Sequence, residues 1–260
     1  ESEPVDAEPQ TDRAAELAEK WQTKSGQLWK LGDHRLLIGD CTVRENVERL
    51  MGGERADIVF SDIPYGIDYS GGRTQVVRHK PYGKIEGDDV KDVSVFVYPL
   101  LELGATDNWV CCSPVNLAPA LRPFDERGGV NAIIVWDKKS PGLGYQWVRR
   151  QTEFILFETK RDKPKDENSE FDLWSISRDD TSEYIHGNQK PIELVIRALS
   201  FSRICGNNVA DLFAGSGSTI IGAQNIGMRC FAMEKTESTC AVILQRFLDV
   251  TGIQPELVTE

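Results

Sequence analysis

The sequence predicts an α/β fold, a doubly wound, mostly parallel sheet of seven strands. Three observations predict it. Seven short apolar runs recur along the chain, separated by helical or polar stretches. Several of them are apolar almost throughout instead of alternating, as strands covered on both faces are. A glycine-bearing turn stands between one such run and a helical pattern, as it does in a strand-to-helix crossover.

In chain order, residues 1–26 are polar and acidic with one short helical pattern, "DRAAELAEKWQ". They read as an acidic linker or tail rather than core. The first strand is "HRLLIGD" (34–40), followed by a helix across "VRENVERLMGG" and the second strand "ADIVFSD" (56–62). Residues 71–92 show no periodicity and read as a loop. Then come "DNWVCCSP" (107–114), "NAIIVWDK" (131–138) and "TEFILFETK" (152–160) as three further strands. The stretch from about 161 to 189 is again polar. "NNVADLFAGS" (207–216) and "MRCFAMEK" (228–235) complete the seven, with the helix "STIIGAQNIG" between them closing near Gly227. The main domain therefore spans 27–250, and 251–260 reads as a C-terminal tail.

Composition narrows the function classes. The chain of 260 residues is 40% hydrophobic, enough for a real core in one domain. No apolar run reaches the roughly 20 residues that span a bilayer, so no membrane partner is expected. The six cysteines form no CxxC pair and read as small buried hydrophobes in a reducing, cytoplasmic setting, with no metal site. A net charge of −11 argues against nonspecific coating of nucleic acid. Within 138–165, however, eight bases (Lys138, Lys139, Arg149, Arg150, Lys160, Arg161, Lys163, Lys165) face three acids. That local excess suits either phosphate contact or a solvated loop.

Two motifs carry chemistry. "VFSDIPYGIDY" (59–69) ends an apolar strand on Asp62, Ile63, Pro64 and Tyr65, delivering a carboxylate and a ring to a sheet edge. "DLFAGSGST" (211–219) turns from a strand into a helix through Gly215 and Gly217. Glycines there let a ligand approach the main chain, and the helix start offers free N–H groups. Glu234 ends the next strand, where a carboxylate could hold a ribose diol. No Lys-Ser/Thr pair follows the glycines, which argues against a nucleoside-triphosphate loop.

Together, "SDIPYG" (61–66), "HGNQKPIEL" (186–194) and "DLFAGSGST" resemble the S-adenosylmethionine-dependent DNA amino-methyltransferases. The catalytic element precedes the cofactor turn, which is similar to the permuted β-class order on a Rossmann-like sheet. "HRLLIGDCT" resembles the family's opening strand, and the likeness covers roughly 27–250. It implies a site-specific enzyme on double-stranded DNA, N6-adenine favoured over N4-cytosine, with a DNA-contact segment at about 138–188. It implies Asp62 and the Ile63 carbonyl as acceptors for the target amino group, with Pro64 shaping the turn and Tyr65 stacking on a flipped base. It places Asp40 and Cys41 near the cofactor adenine and Glu234 at its ribose. Asp211, Phe213, Gly215, Ser216 and Gly217 line the pocket beside Asp62, with Lys190 near the methionine carboxylate. Ile63 stands where the family has Pro, which leaves a catalytically impaired DNA-binding relic as an alternative. Methylation of protein glutamine or RNA is disfavoured by the motif order. His186 is a DNA contact or a turn cap, and Tyr145 and Trp147 read as packing residues. The acidic lead-in resembles methylases that follow a ParB-like domain, so the reading admits such a domain upstream in a longer chain, and a homodimer.

Overall fold

A computed structural model describes residues 4–65, 90–140, 147–163, 170–177 and 189–259. The seven expected strands are all present: β2 (His34–Ile38), β3 (Ile58–Asp62), β4 (Asp107–Cys112), β5 (Ala132–Asp137), β6 (Thr152–Thr159), β8 (Asn208–Asp211) and β9 (Arg229–Glu234). Three short strands join them: β1 (Leu28–Leu31), β7 (Leu173–Ser175) and β10 (Glu256–Leu257). The single sheet runs β10-β1-β2-β9-β8-β3-β4-β6-β5-β7. Its centre, β2-β9-β8-β3-β4, is parallel throughout, while β6 and β1 pair antiparallel with their neighbours.

The unbroken apolar character of the central strands now has a structural cause. Ile58 and Phe60 enter one core and Val59 the other; Leu36 and Ile38 likewise face away from Leu37. Successive side chains leave a strand on opposite faces, so a sheet covered on both sides needs apolar residues at every position. One layer is built by α1 (Ala14–Trp21), α5 (Ile192–Ser202), α6 (Ser218–Asn225) and α7 (Glu237–Thr251). The other is built by α2 (Arg44–Met51), α3 (Ser94–Glu102) and α4 (Leu117–Asp125). Gly227, at φ 67°, closes α6 as expected: its N–H reaches Gln224 O while Met228 N–H reaches Ala223 O.

Several expectations are corrected. The lead-in is not a tail, because Leu17 and Trp21 are buried in the core against α7. Two apolar residues four apart on one helix face suffice to dock it, and the acidic composition conceals them. The end of the chain also pairs: Glu256–Leu257 extends the sheet beside Trp29 and Lys30. The polar stretch 161–189 holds β7, anchored by the fully buried Trp174. The loop expected at 71–92 lies outside the described residues except for its last three positions. No helix among the described residues is long and apolar enough to cross a membrane.

Candidate active site

Because β2, β9, β8, β3 and β4 are parallel, their C-terminal ends share one sheet edge, and the predicted site residues gather there. Asp40 and Cys41 follow β2, and Glu234 ends β9 directly alongside, with Ile38 in register with Glu234. The Asp40 carboxylate accepts from Thr42 N–H and Oγ1, at 2.9 and 2.6 Å, and pairs with Lys235 at 3.2 Å. Cys41 is buried, which pushes its thiol up to about 12. Glu234 accepts the Gly215 N–H at 3.0 Å and the Thr236 N–H at 2.9 Å, so it ties the glycine turn to the next strand. Burial raises its pKa, opposed by those N–H groups.

The turn has the backbone that its glycines predict. Gly215 and Gly217 sit at φ 51° and 88°, the left-handed region closed to most side chains. A Cβ at Gly215 would meet nothing nearer than Phe213 O at 4.0 Å, so the turn is open to an approaching ligand. At Gly217 it would press on Ile243 at 3.1 Å. Phe213 is half-buried and packs edge-on to Phe96 at 5.4 Å. Ser216 gives its carbonyl to Arg246 Nη1 at 3.0 Å. Asp211 is engaged inside the protein, accepting from Ser61 Oγ at 2.6 Å and Phe213 N–H at 3.0 Å. Burial lifts its pKa to about 6 against those bonds. Its carboxylate thus holds the turn to β3.

On the other half of the edge, Asp62 ends β3 in register with Cys111 of β4. Its Oδ2 accepts from Lys190 Nζ at 2.6 Å and its Oδ1 from Tyr65 OH at 3.0 Å. Lys190 is buried and lies 5.1 Å from the Tyr65 ring centre and 5.7 Å from that of Trp136. The structure therefore sets Lys190 against the Asp62 carboxylate. Ile63 is buried in the core that holds Val59 and Phe96. Burial restrains the turn that a Pro ring would otherwise restrain by fixing φ.

Two residues of this cluster were missed by sequence reasoning. Glu153, the second residue of β6, is buried and accepts from Tyr65 OH at 2.7 Å, Lys138 Nζ at 3.0 Å and Lys190 Nζ at 3.1 Å. Lys138 is buried beside it, so it is not a phosphate-facing base. The available signal was an acid at the start of an otherwise apolar strand, "TEFILF", since an acid in such a strand needs a buried cation. Among the described residues the basic segment does not form one patch. Lys139, Arg149 and Arg150 are exposed at the site's edge. Lys160 and Arg161 lie at the far end of β6, where Arg161 pairs with the buried Asp107 at 2.7 Å. Trp147 is fully exposed rather than packed; Tyr145 and His186 lie outside the described residues.

A family model described as DNA methylase, of the N6/N4 type, matches residues 56–245, a span that includes both motifs. The chain belongs to the N6/N4 DNA methylase family. It is 25% identical over 223 residues to the type II methyltransferase M2.DpnII of Streptococcus pneumoniae, covering 74% of this chain and 82% of that protein. The match to M2.LlaDCHI of Lactococcus lactis subsp. cremoris is also 25% identical, over 221 residues, with the same coverage. The fold of this methylase is similar to that of the cytosine-N4-specific PvuII DNA methyltransferase, with a TM-score of 0.56 at 16% identity, over 84% of this chain and 91% of that one. It is similar also to M1.HpyAVI in its complex with SAM, with a TM-score of 0.55 at 20% identity, over 81% and 98%.

Proposed function

We propose that this DNA methylase moves a methyl group from S-adenosylmethionine to an exocyclic amino group of double-stranded DNA, N6 of adenine in preference to N4 of cytosine. The observation that carries the reading is the adjacency of its two motifs. Asp62–Tyr65 and the glycine turn end neighbouring parallel strands, fastened by the Ser61–Asp211 hydrogen bond. The Asp at position 62 supports adenine as the target.

The residues at the turn fit the cofactor. Glu234 has a carboxylate at the rim for a ribose diol, and the open face above Gly215 admits a ligand to the main chain. When bound, S-adenosylmethionine supplies a sulfonium-activated methyl group. The protein's part is to prepare the nucleophile. An exocyclic amino nitrogen is weakly nucleophilic because its lone pair is delocalised into the ring. Asp62 and the Ile63 carbonyl accept its two N–H bonds, which favours a pyramidal nitrogen with its lone pair free for attack. Tyr65 stacks on the base, which reaches the site only when flipped out of the duplex. Asp62 is then the nearest base for the proton that the nitrogen releases, and burial already pushes its pKa upward.

The test is transfer of tritium from labelled S-adenosylmethionine to genomic DNA from a strain lacking DNA methylation, followed by nucleoside analysis. The expected product is N6-methyladenine, with turnover lost in Asp62→Ala while cofactor binding persists. N4-methylcytosine as product would replace adenine by cytosine as the target. Wild-type turnover in Asp62→Ala would overturn the mechanism. No transfer by the wild type but transfer by Ile63→Pro would establish the relic reading.

A further inference from the structure

We infer that Glu153 is a positioning residue for methyl transfer, sharing Lys190 and Tyr65 with Asp62 and taking both over when Asp62 receives the target amino group. The inference rests on the reading of Asp62 as that group's acceptor.

Both Asp62 oxygens are engaged, one by Lys190 at 2.6 Å and the other by Tyr65 OH at 3.0 Å. Each oxygen keeps a lone pair for an incoming N–H, but donors that already draw on the carboxylate's charge weaken its pull on that N–H. Lys190 is buried, and withdrawing it to water would strip Asp62 and Glu153 of the cation they share, which is costly for buried carboxylates. Glu153 Oε2 is within reach of both donors, at 2.7 Å from Tyr65 OH and 3.1 Å from Lys190 Nζ. The tyrosine hydroxyl has one proton, so it can donate to only one of the two carboxylates at a time. It accepts from Lys190 at 2.8 Å, which couples the two movements. Lys138 anchors the other Glu153 oxygen at 3.0 Å, so the receiving carboxylate stays in place.

Charge supports the same role. Burial disfavours the ionised Glu153, yet Lys190 and Lys138 outweigh it and draw its pKa down to about 2. The groups facing Asp62 are Lys190, Glu153 and Tyr65, with the neutral thiols of Cys111 and Cys112 from β4 and Asp211 from β8. Two lysines and two ionised acids, Asp62 and Glu153, leave this cluster balanced, and removing the Glu153 charge leaves Lys190 with Asp62 alone.

Glu153→Gln and Glu153→Asp would be assayed with tritiated S-adenosylmethionine and the unmethylated genomic DNA. In Glu153→Gln, kcat should fall about tenfold or more with the KM for the cofactor unchanged, since the lost interaction serves the chemical step. The acid limb of its kcat profile should move to lower pH, because Asp62 then faces an unbalanced lysine. Glu153→Asp, which restores the charge, should recover much of the rate and the wild-type profile. A wild-type rate and profile in Glu153→Gln would overturn the inference. So would equal losses in both variants with the profile unmoved, which would mark a merely structural role. Asp62→Ala, run alongside, separates the two levels: if it turns over normally the acceptor reading fails, and if it is inert while Glu153→Gln is normal only the present inference fails.

Discussion

Arg246 of α7 holds both carboxylate oxygens of Asp6 at 2.8 Å from Nη2, while its Nη1 donates to the Ser216 carbonyl at 3.0 Å. The guanidinium is fully buried, and one flat fork joins the segment ahead of α1 to the glycine turn. Val5 and Asp6 thus brace the turn from behind, with Asn225 exchanging hydrogen bonds with the Val5 backbone.

Loss of that brace should be measurable. Asp6→Ala leaves a buried guanidinium short of its charged partner, which should cost about 1–3 kcal/mol of stability. Urea denaturation measures that cost. Calorimetry with S-adenosylmethionine should show weaker binding, because the Ser216 carbonyl loses its fixed donor. Unchanged stability and affinity would mean that the brace does not act.

The glycine turn should be intolerant at Gly217 for two separate reasons. Its φ of 88° disfavours any side chain, and a Cβ would press on Ile243. Gly217→Val should abolish cofactor binding in calorimetry. Glu234→Ala should weaken it by about 1–3 kcal/mol, the scale for losing a hydrogen-bonded charge.

Ile63 should act through burial. Ile63→Ala should cost about 2–4 kcal/mol in stability, as truncation of a buried aliphatic side chain does. Ile63→Pro should leave turnover within a few-fold of wild type, since the packed Ile already restrains the turn. A large gain from Pro would show the wild-type loop to be loose.

DNA contact should divide the basic segment. Reversing Arg149 and Arg150, exposed at the site's edge, should weaken DNA binding and flatten its salt dependence. Reversing Lys160 and Lys163, on the segment that leaves the far end of β6, should leave the salt slope unchanged. Filter binding across a salt series distinguishes the two pairs.

Acid sensitivity should follow Glu153. Its folded pKa of about 2 lies below the ordinary 4.5, so its stabilisation is present above pH 4.5 and is lost as pH falls towards 2. By linkage this amounts to at most about 3 kcal/mol. The stability difference between wild type and Glu153→Gln should therefore shrink as pH is lowered through that window, followed by denaturant titration at each pH.

The sequence by itself determined the seven principal strands, the crossover helix and the two motifs. Unbroken apolar runs such as "ADIVFSD" encode burial on both faces, and the residues of "SDIPYG" and "DLFAGSGST" are contiguous in the chain. The tertiary structure decided what depends on partners distant in sequence. Leu17 and Trp21 look like part of an acidic tail until α7 supplies the surface that buries them. Lys190 meets the Asp62 carboxylate, 128 positions away in the chain, only because the fold brings the two to 2.6 Å. Glu153 and Lys138 look like one acid and one base of a solvated stretch, yet antiparallel pairing of β5 and β6 turns them into a buried ion pair beside Tyr65. Local pattern records which face of a strand is apolar; it does not record which charge will meet which, because that is set by the sheet order that joins separate segments at one edge.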